Sequence, residues 1–111
     1  MRVFVYGSLL DPAALARRAG DATLPARMRP AVLRGWRRVG VKGSKYPTIV
    51  RHRPGVVAGA VVDLPAAAVG RLQAYEGEGY ELVRVRPATE RGRAPAFAWI
   101  AGAPTARKWE A

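Results

Sequence analysis

Two short stretches of this chain carry residue types that could do chemistry on a small molecule. The first is Tyr75-Glu76-Gly77-Glu78-Gly79-Tyr80-Glu81, where three of the eight acids of the chain fall within six residues, beside two tyrosines and two glycines. A carboxylate at the C-terminal end of a helix faces the negative end of the helix dipole, and burial beside aromatic rings penalises its charged form further. Both effects raise its pKa, which suits a group that takes up and returns protons near neutrality. Glu76 closes the apolar face of its helix and is expected to point inward, so it is the candidate acid/base. Glu78 and Glu81 lie beyond the Gly77 break and read as surface partners of nearby arginines. The same ion pairing is the competing reading for Glu76.

The second stretch is Tyr6-Gly7-Ser8-Leu9. A strand that ends in Gly-Ser leaves backbone N–H groups without ladder partners, and glycine lets a ligand approach them closely. Such a loop can hold a carboxylate or an oxyanion, while Tyr6 and Ser8 add hydroxyls of fixed reach. From the residues alone, a tight connection into the next helix explains the same pattern.

Other chemistries lack their residues. The chain has no cysteine, so it has no disulfide, no thiolate nucleophile and no thiolate-ligated zinc, and a single His52 cannot anchor a multi-histidine metal site. No phosphate-loop motif and no G-x-S-x-G motif is present, and His52 lies in the run Arg51-His52-Arg53, where a solvated histidine is expected. The stretch Gly40-Val41-Lys42-Gly43 matches a KH-domain GXXG, a match expected by accident among 12 glycines.

The elements that must position the two stretches follow from local patterning. Arg2 to Tyr6 is β-branched and aromatic and reads as a central strand ending at Gly7. Asp11 is a good N-cap and Pro12 a good first helical residue, so Ala13 to Ala19 reads as a short helix stopped by Gly20. Between Ala31 and Val62, apolar stretches at Val32-Leu33, Val39 to Val41, Pro47 to Val50 and Val56 to Val62 are separated by Gly, Pro, Arg and Lys, and read as four short strands. The last is apolar on both faces and is expected to be covered on both. Asp63 is expected to cap a second helix with Pro65 in its first turn. Leu64, Ala68, Leu72 and Tyr75 lie along one face of that helix, which must stop near Glu76-Gly77. Leu82 to Arg86 alternates like a strand, and a final strand from Ala94 to Ala101 puts Phe97 and Trp99 on one side. The tail from Gly102 is expected to be loosely attached.

The chain has 111 residues, half of them hydrophobic, which suits one domain spanning 1–111. No apolar run approaches the roughly 20 residues that span a bilayer, and a cytoplasmic location is expected. The formal charge is +11, and 16 of the 19 basic residues are arginine. From Ala22 to Val62 there is no acid, while Arg27, Arg29, Arg34, Arg37, Arg38, Lys42, Lys45, Arg51 and Arg53 all fall there. Partners are therefore expected to be anionic, and a solvated cationic face is preferred to nucleic-acid binding for this stretch.

Together, Val3-Phe4-Val5-Tyr6-Gly7-Ser8-Leu9 and, later, Leu72-Gln73-Ala74-Tyr75-Glu76-Gly77 followed by Tyr80 and the Val83-Arg84-Val85 strand resemble the gamma-glutamylcyclotransferase-like family. The resemblance extends to Tyr46-Pro47 before the strand at Thr48 and to the aromatic strand near Trp99. It implies an α+β fold, a small mixed β-barrel with two or three flanking helices, in which the loop and the glutamate meet in one pocket. It also implies a reaction without a cofactor: cyclisation of a gamma-glutamyl group to 5-oxoproline with release of the attached amine or amino acid. Carried over by position, Tyr6, Gly7, Ser8 and Leu9 would hold the glutamyl group, Glu76 would be the general acid/base and Tyr80 would line the pocket. Two departures stand out. The Glu76–Tyr80 loop is short enough for Glu78 to compete, and Trp99 stands where many relatives carry tyrosine.

Two other readings compete with the enzyme. One is a non-catalytic protein that binds a small acidic ligand in the same pocket. The other is an RNA-binding protein that uses residues 22–62, with Trp36 or Tyr46 stacking on bases.

Overall fold

The computed structural model describes residues 1–41, 43 and 46–102. Lys42 and Lys45 of the basic stretch, and the tail beyond Gly102, lie outside them.

Seven strands form one mixed sheet, curled into a half-barrel with two helices against it. The elements are β1 (Arg2–Val5), α1 (Pro12–Ala19), β2 (Arg29–Gly40), β3 (Pro47–Asp63), α2 (Ala66–Glu76), β4 (Tyr80–Val85), β5 (Ala88–Thr89), β6 (Gly92–Arg93) and β7 (Ala96–Ala101). The spatial order is β4-β7-β1-β3-β2-β5-β6; β1 runs parallel to β7 and antiparallel to β3. As expected, β1 is central, with Val3, Phe4 and Val5 buried.

Because side chains alternate along a strand, β1 feeds two cores. Val3 and Val5 join Leu15, Leu64 and Leu72 on the helix side. Phe4 and Tyr6 join Leu33, Ile49, Val57 and Val85 inside the curl. Helix α1 forms on the expected signals: the Asp11 carboxylate accepts from the Ala13 amide at 3.3 Å, and Gly20 takes the left-handed conformation at φ 69°.

Three expectations need correction. The four short strands between 31 and 62 are two long ones, of 12 and 17 residues, paired antiparallel from Arg29↔Val61 to Gly40↔Pro47. The interrupting Arg and Gly residues do not end a strand whose outer face meets water. A register shift between Arg34 and Trp36 absorbs the irregularity, where Gly55 passes so close that a Cβ would stand 2.2 Å from the Trp36 carbonyl oxygen.

The Val56–Val62 stretch is not covered throughout, since Val56 is 50% exposed while Val57, Ala60, Val61 and Val62 are buried. Asp63 does not cap α2; it ends β3 opposite Arg2, and Pro65 occupies the cap position without a side-chain bond. The ladder carries on past it through Leu64, whose amide donates to the Met1 carbonyl at 2.7 Å. That keeps the backbone extended for too long to let Asp63 turn into the helix.

Candidate active site

The loop after β1 and the end of α2 meet at one cleft of about 170 Å³, lined by Tyr6, Gly7, Ser8 and Leu9 on one wall and by Tyr75 and Glu76 on the other. Tyr80, Trp99, Tyr46 and Pro47 complete the lining, above a floor of Phe4 and Val5.

The loop wall begins where β1 leaves the sheet. Ser8–Leu10 forms a single 3₁₀ turn, in which the Leu10 amide donates to the Gly7 carbonyl at 3.0 Å and the Asp11 amide to the Ser8 carbonyl at 3.2 Å. Among the described residues, the amides of Gly7, Ser8 and Leu9 have no intramolecular acceptor. Three successive N–H groups are thus left to bind an anion or an oxyanion. The Ser8 hydroxyl lies 3.0 Å from the Tyr75 hydroxyl and joins the two walls at the rim. The guanidinium of Arg18 rests on the Tyr75 ring, 4.8 Å from its centre.

Glu76 is the last residue of α2, and Gly77 ends the helix at φ 89°, a conformation glycine adopts readily. The preceding turn is fixed by Gln73. Its Oε1 accepts from the Trp99 indole N–H at 2.8 Å and its Nε2 donates to the Tyr80 carbonyl at 3.1 Å, tying the helix to β7 and β4. Trp99, at the position where a tyrosine hydroxyl is the alternative, therefore spends its one donor on holding α2.

Burial pushes the Glu76 carboxyl up to about 7, and among the described residues no cation offsets it. Glu78 is exposed and lines a different cavity together with Glu81, so among the described residues Glu76 is the one carboxylate that lines this cleft.

Two tyrosines feel the Glu76 charge. Tyr6 is buried; its hydroxyl donates to the Trp99 carbonyl, and the Thr48 hydroxyl bonds it. Burial, chiefly, and Glu76 hold its pKa well above the ordinary range. The Thr48 oxygen also accepts the Ala101 amide at 2.8 Å, so this fully buried hydroxyl is satisfied. Tyr80 donates to the Pro47 carbonyl at 3.4 Å, and burial followed by Glu76 raises its pKa too. With both phenol protons committed to carbonyls, Glu76 is the group in the cleft poised to exchange a proton near neutrality.

The cleft thus collects Tyr6, Gly7, Ser8, Leu9, Glu76 and Tyr80, while Glu78, the competing carboxylate, stands outside it. Gln73 and Thr48 carry no such signal in the sequence, since Trp99 and Ala101, which they bond, lie 26 and 53 positions away. Among the described residues, no three His, Cys, Asp or Glu side chains cluster as metal ligands would. No helix among them is long and apolar enough to cross a membrane. In the basic stretch, Trp36 is buried with Arg51 stacked on it at 4.7 Å, while Tyr46 is 42% exposed and belongs to the cleft.

A family model described as gamma-glutamyl cyclotransferase, AIG2-like, matches residues 3–110. Protein AIG2 C of Arabidopsis thaliana is 35% identical over 106 residues, covering 88% of this chain and 61% of that protein. This chain therefore spans less than two thirds of that relative's length. The solution structure of an Arabidopsis thaliana protein superposes with a TM-score of 0.80 at 30% identity, over 99% of this chain and 75% of that one. A structure of a gamma-glutamyl cyclotransferase superposes with a TM-score of 0.78 over 94% of this chain and 68% of that one; at 20% identity the likeness is one of fold.

Proposed function

Because the chain belongs to the gamma-glutamyl cyclotransferase, AIG2-like family, we propose that it converts a gamma-glutamyl amine or gamma-glutamyl amino acid to 5-oxoproline and the free amine. The observation that carries this is the meeting of a half-buried carboxyl of pKa about 7, Glu76, with the amides of residues 7–9, which have no acceptor among the described residues, in one small cleft.

The bound glutamyl group is bent so that its α-amine nitrogen attacks its own γ-carbonyl carbon. A new C–N bond forms, and the carbonyl oxygen takes the negative charge. Glu76, in its carboxylate form, removes the proton from the attacking nitrogen. It then delivers that proton to the departing nitrogen as the old C–N bond breaks and the carbonyl reforms. One carboxyl serves both transfers, and a pKa near the working pH suits it to both. The loop amides are proposed to hold the glutamyl group and its developing oxyanion, for which one well-placed donor is worth roughly 3 kcal/mol. Holding the chain of the substrate in its bent form removes the entropy cost of ring closure from the reaction step.

At about 170 Å³ the cleft is smaller than sites for drug-sized ligands, about 300–1,000 Å³, and so fits the glutamyl end. The leaving group would then lie toward the exposed Tyr46.

Incubation with a panel of gamma-glutamyl amino acids and amines should release 5-oxoproline, and Glu76→Gln should slow that release by about 10²–10⁴-fold. Saturable 5-oxoproline binding without turnover would replace the enzyme by a binding protein. Turnover that is undiminished by the substitution would remove Glu76 from the mechanism.

A further inference from the structure

Within the acid-free, arginine-rich stretch, the half-buried Arg38 side chain reaches the cleft loop. Arg38, on β2, donates from Nε and Nη2 to the carbonyl of Tyr6 at 3.2 and 2.9 Å, and from Nη2 to the carbonyl of Ala58. These carbonyls lie where β1 parts from β3: the last paired position is Val5↔Ala60, and beyond it no strand donor serves Tyr6. The half-buried guanidinium fills that gap. Two donated bonds from a rigid, planar cation, itself braced by the third to Ala58, fix the Tyr6 carbonyl in direction as well as position, which a single ammonium could not match.

A peptide unit is planar and trans, so its C=O and N–H point in opposite directions. With the Tyr6 carbonyl turned toward Arg38, the Gly7 N–H of the same unit points away from Arg38, and Gly7 itself lines the cleft. That N–H has no acceptor among the described residues, and the space in front of Gly7 is open, with Pro47 Cγ 4.0 Å from where a Cβ would sit. A cation on the carbonyl also polarises the peptide and makes its N–H a stronger donor.

We infer that Arg38 is a positioning residue, which aims and strengthens the Gly7 amide as an oxyanion donor of the cleft. Its effect on turnover rests on the cyclotransferase reading; its effect on the orientation of Gly7 does not.

Backbone N–H residual dipolar couplings of ¹⁵N-labelled protein test this in the wild type, Arg38→Met and Arg38→Lys. The expected result is a changed coupling at Gly7 in both variants, with unchanged couplings at Val3, Phe4 and Leu72, which report an intact sheet and helix. Formation of 5-oxoproline should fall about 10- to 100-fold in kcat/KM alongside it. A Gly7 coupling that stays at its wild-type value in either folded variant overturns the proposal, even if turnover falls. If Arg38→Met does not fold, Arg38→Lys carries the test, since it keeps the charge and loses only the fork. A wild type that makes no 5-oxoproline would defeat the cyclotransferase proposal, and the Gly7 couplings would still decide the role of Arg38.

Discussion

The two walls of the cleft are built from different materials. One is backbone: the amides of Gly7, Ser8 and Leu9, which have no acceptor among the described residues where β1 leaves the sheet. The other presents a side chain, the carboxyl of Glu76, carried on a helix end that Gln73 ties to two strands. A backbone wall depends on the path of its main chain and on open access to its amides, and no functional group of its side chains is needed. A side-chain wall depends on one functional group. Substitutions on the two sides should therefore differ in the size of effect and also in kind.

The largest effect is expected at Glu76. Glu76→Gln keeps the shape and loses the proton carrier, so kcat should fall by about 10²–10⁴-fold with little change in KM. Steady-state kinetics of 5-oxoproline release check this, and an unchanged kcat would break the contrast at once.

The same side chain should mark stability. Its folded pKa is about 7, against an ordinary 4.5. Between those values the folded protein keeps a proton that the unfolded chain has lost, so stability falls as pH rises through this window and levels off above it. The full loss is up to about 3 kcal/mol. Denaturant unfolding should show the wild type losing ground to Glu76→Gln from pH 5 to pH 8; parallel curves would mean that the carboxyl is solvated.

Gly7→Ala probes the other wall. Gly7 has a negative φ, −123°, and room for a methyl group, so the fold should be kept. A methyl in front of the amides should nevertheless obstruct the ligand and raise KM about 10- to 100-fold. A normal KM would mean that no ligand approaches the loop so closely.

The smallest effect is expected from Ser8→Ala. The exposed Ser8 hydroxyl joins the rim to Tyr75, and its loss should cost no more than about fivefold in kcat/KM. A loss as large as that of Glu76→Gln would turn the loop into a side-chain wall after all.

What is legible in the sequence follows from the range of the interactions. Asp11, Pro12 and Gly20 set the limits of α1 through contacts within a few residues, and Gly77 ends α2 in the same way. Those local signals place the loop and Glu76 at the ends of their elements. The β2–β3 hairpin reads as four strands because its arginines and glycines look like breaks in sequence. They are compatible with a strand once the partner strand supplies the hydrogen bonds, and Arg34 pairs with Val56 right up to the register shift. Asp63 has the look of a cap, and what denies it that role is Met1, at the far end of the chain, bonded to Leu64. Arg38 is one of nine basic residues in a run; only the folded chain shows that it faces the Tyr6 carbonyl. The Gln73–Trp99 bond spans 26 positions and makes no pattern that periodicity could reveal.

The central claim, that both walls serve one glutamyl-sized site, is tested most directly by an NMR titration with 5-oxoproline that follows the amides of Gly7, Ser8 and Leu9 and the side-chain carboxyl carbon of Glu76 in the same sample. The account predicts that all four signals move together along one saturation curve, with the Glu76 midpoint near pH 7 displaced when the ligand is bound. Loop amides that shift while the Glu76 carboxyl stays still, or no shift in either, would contradict it.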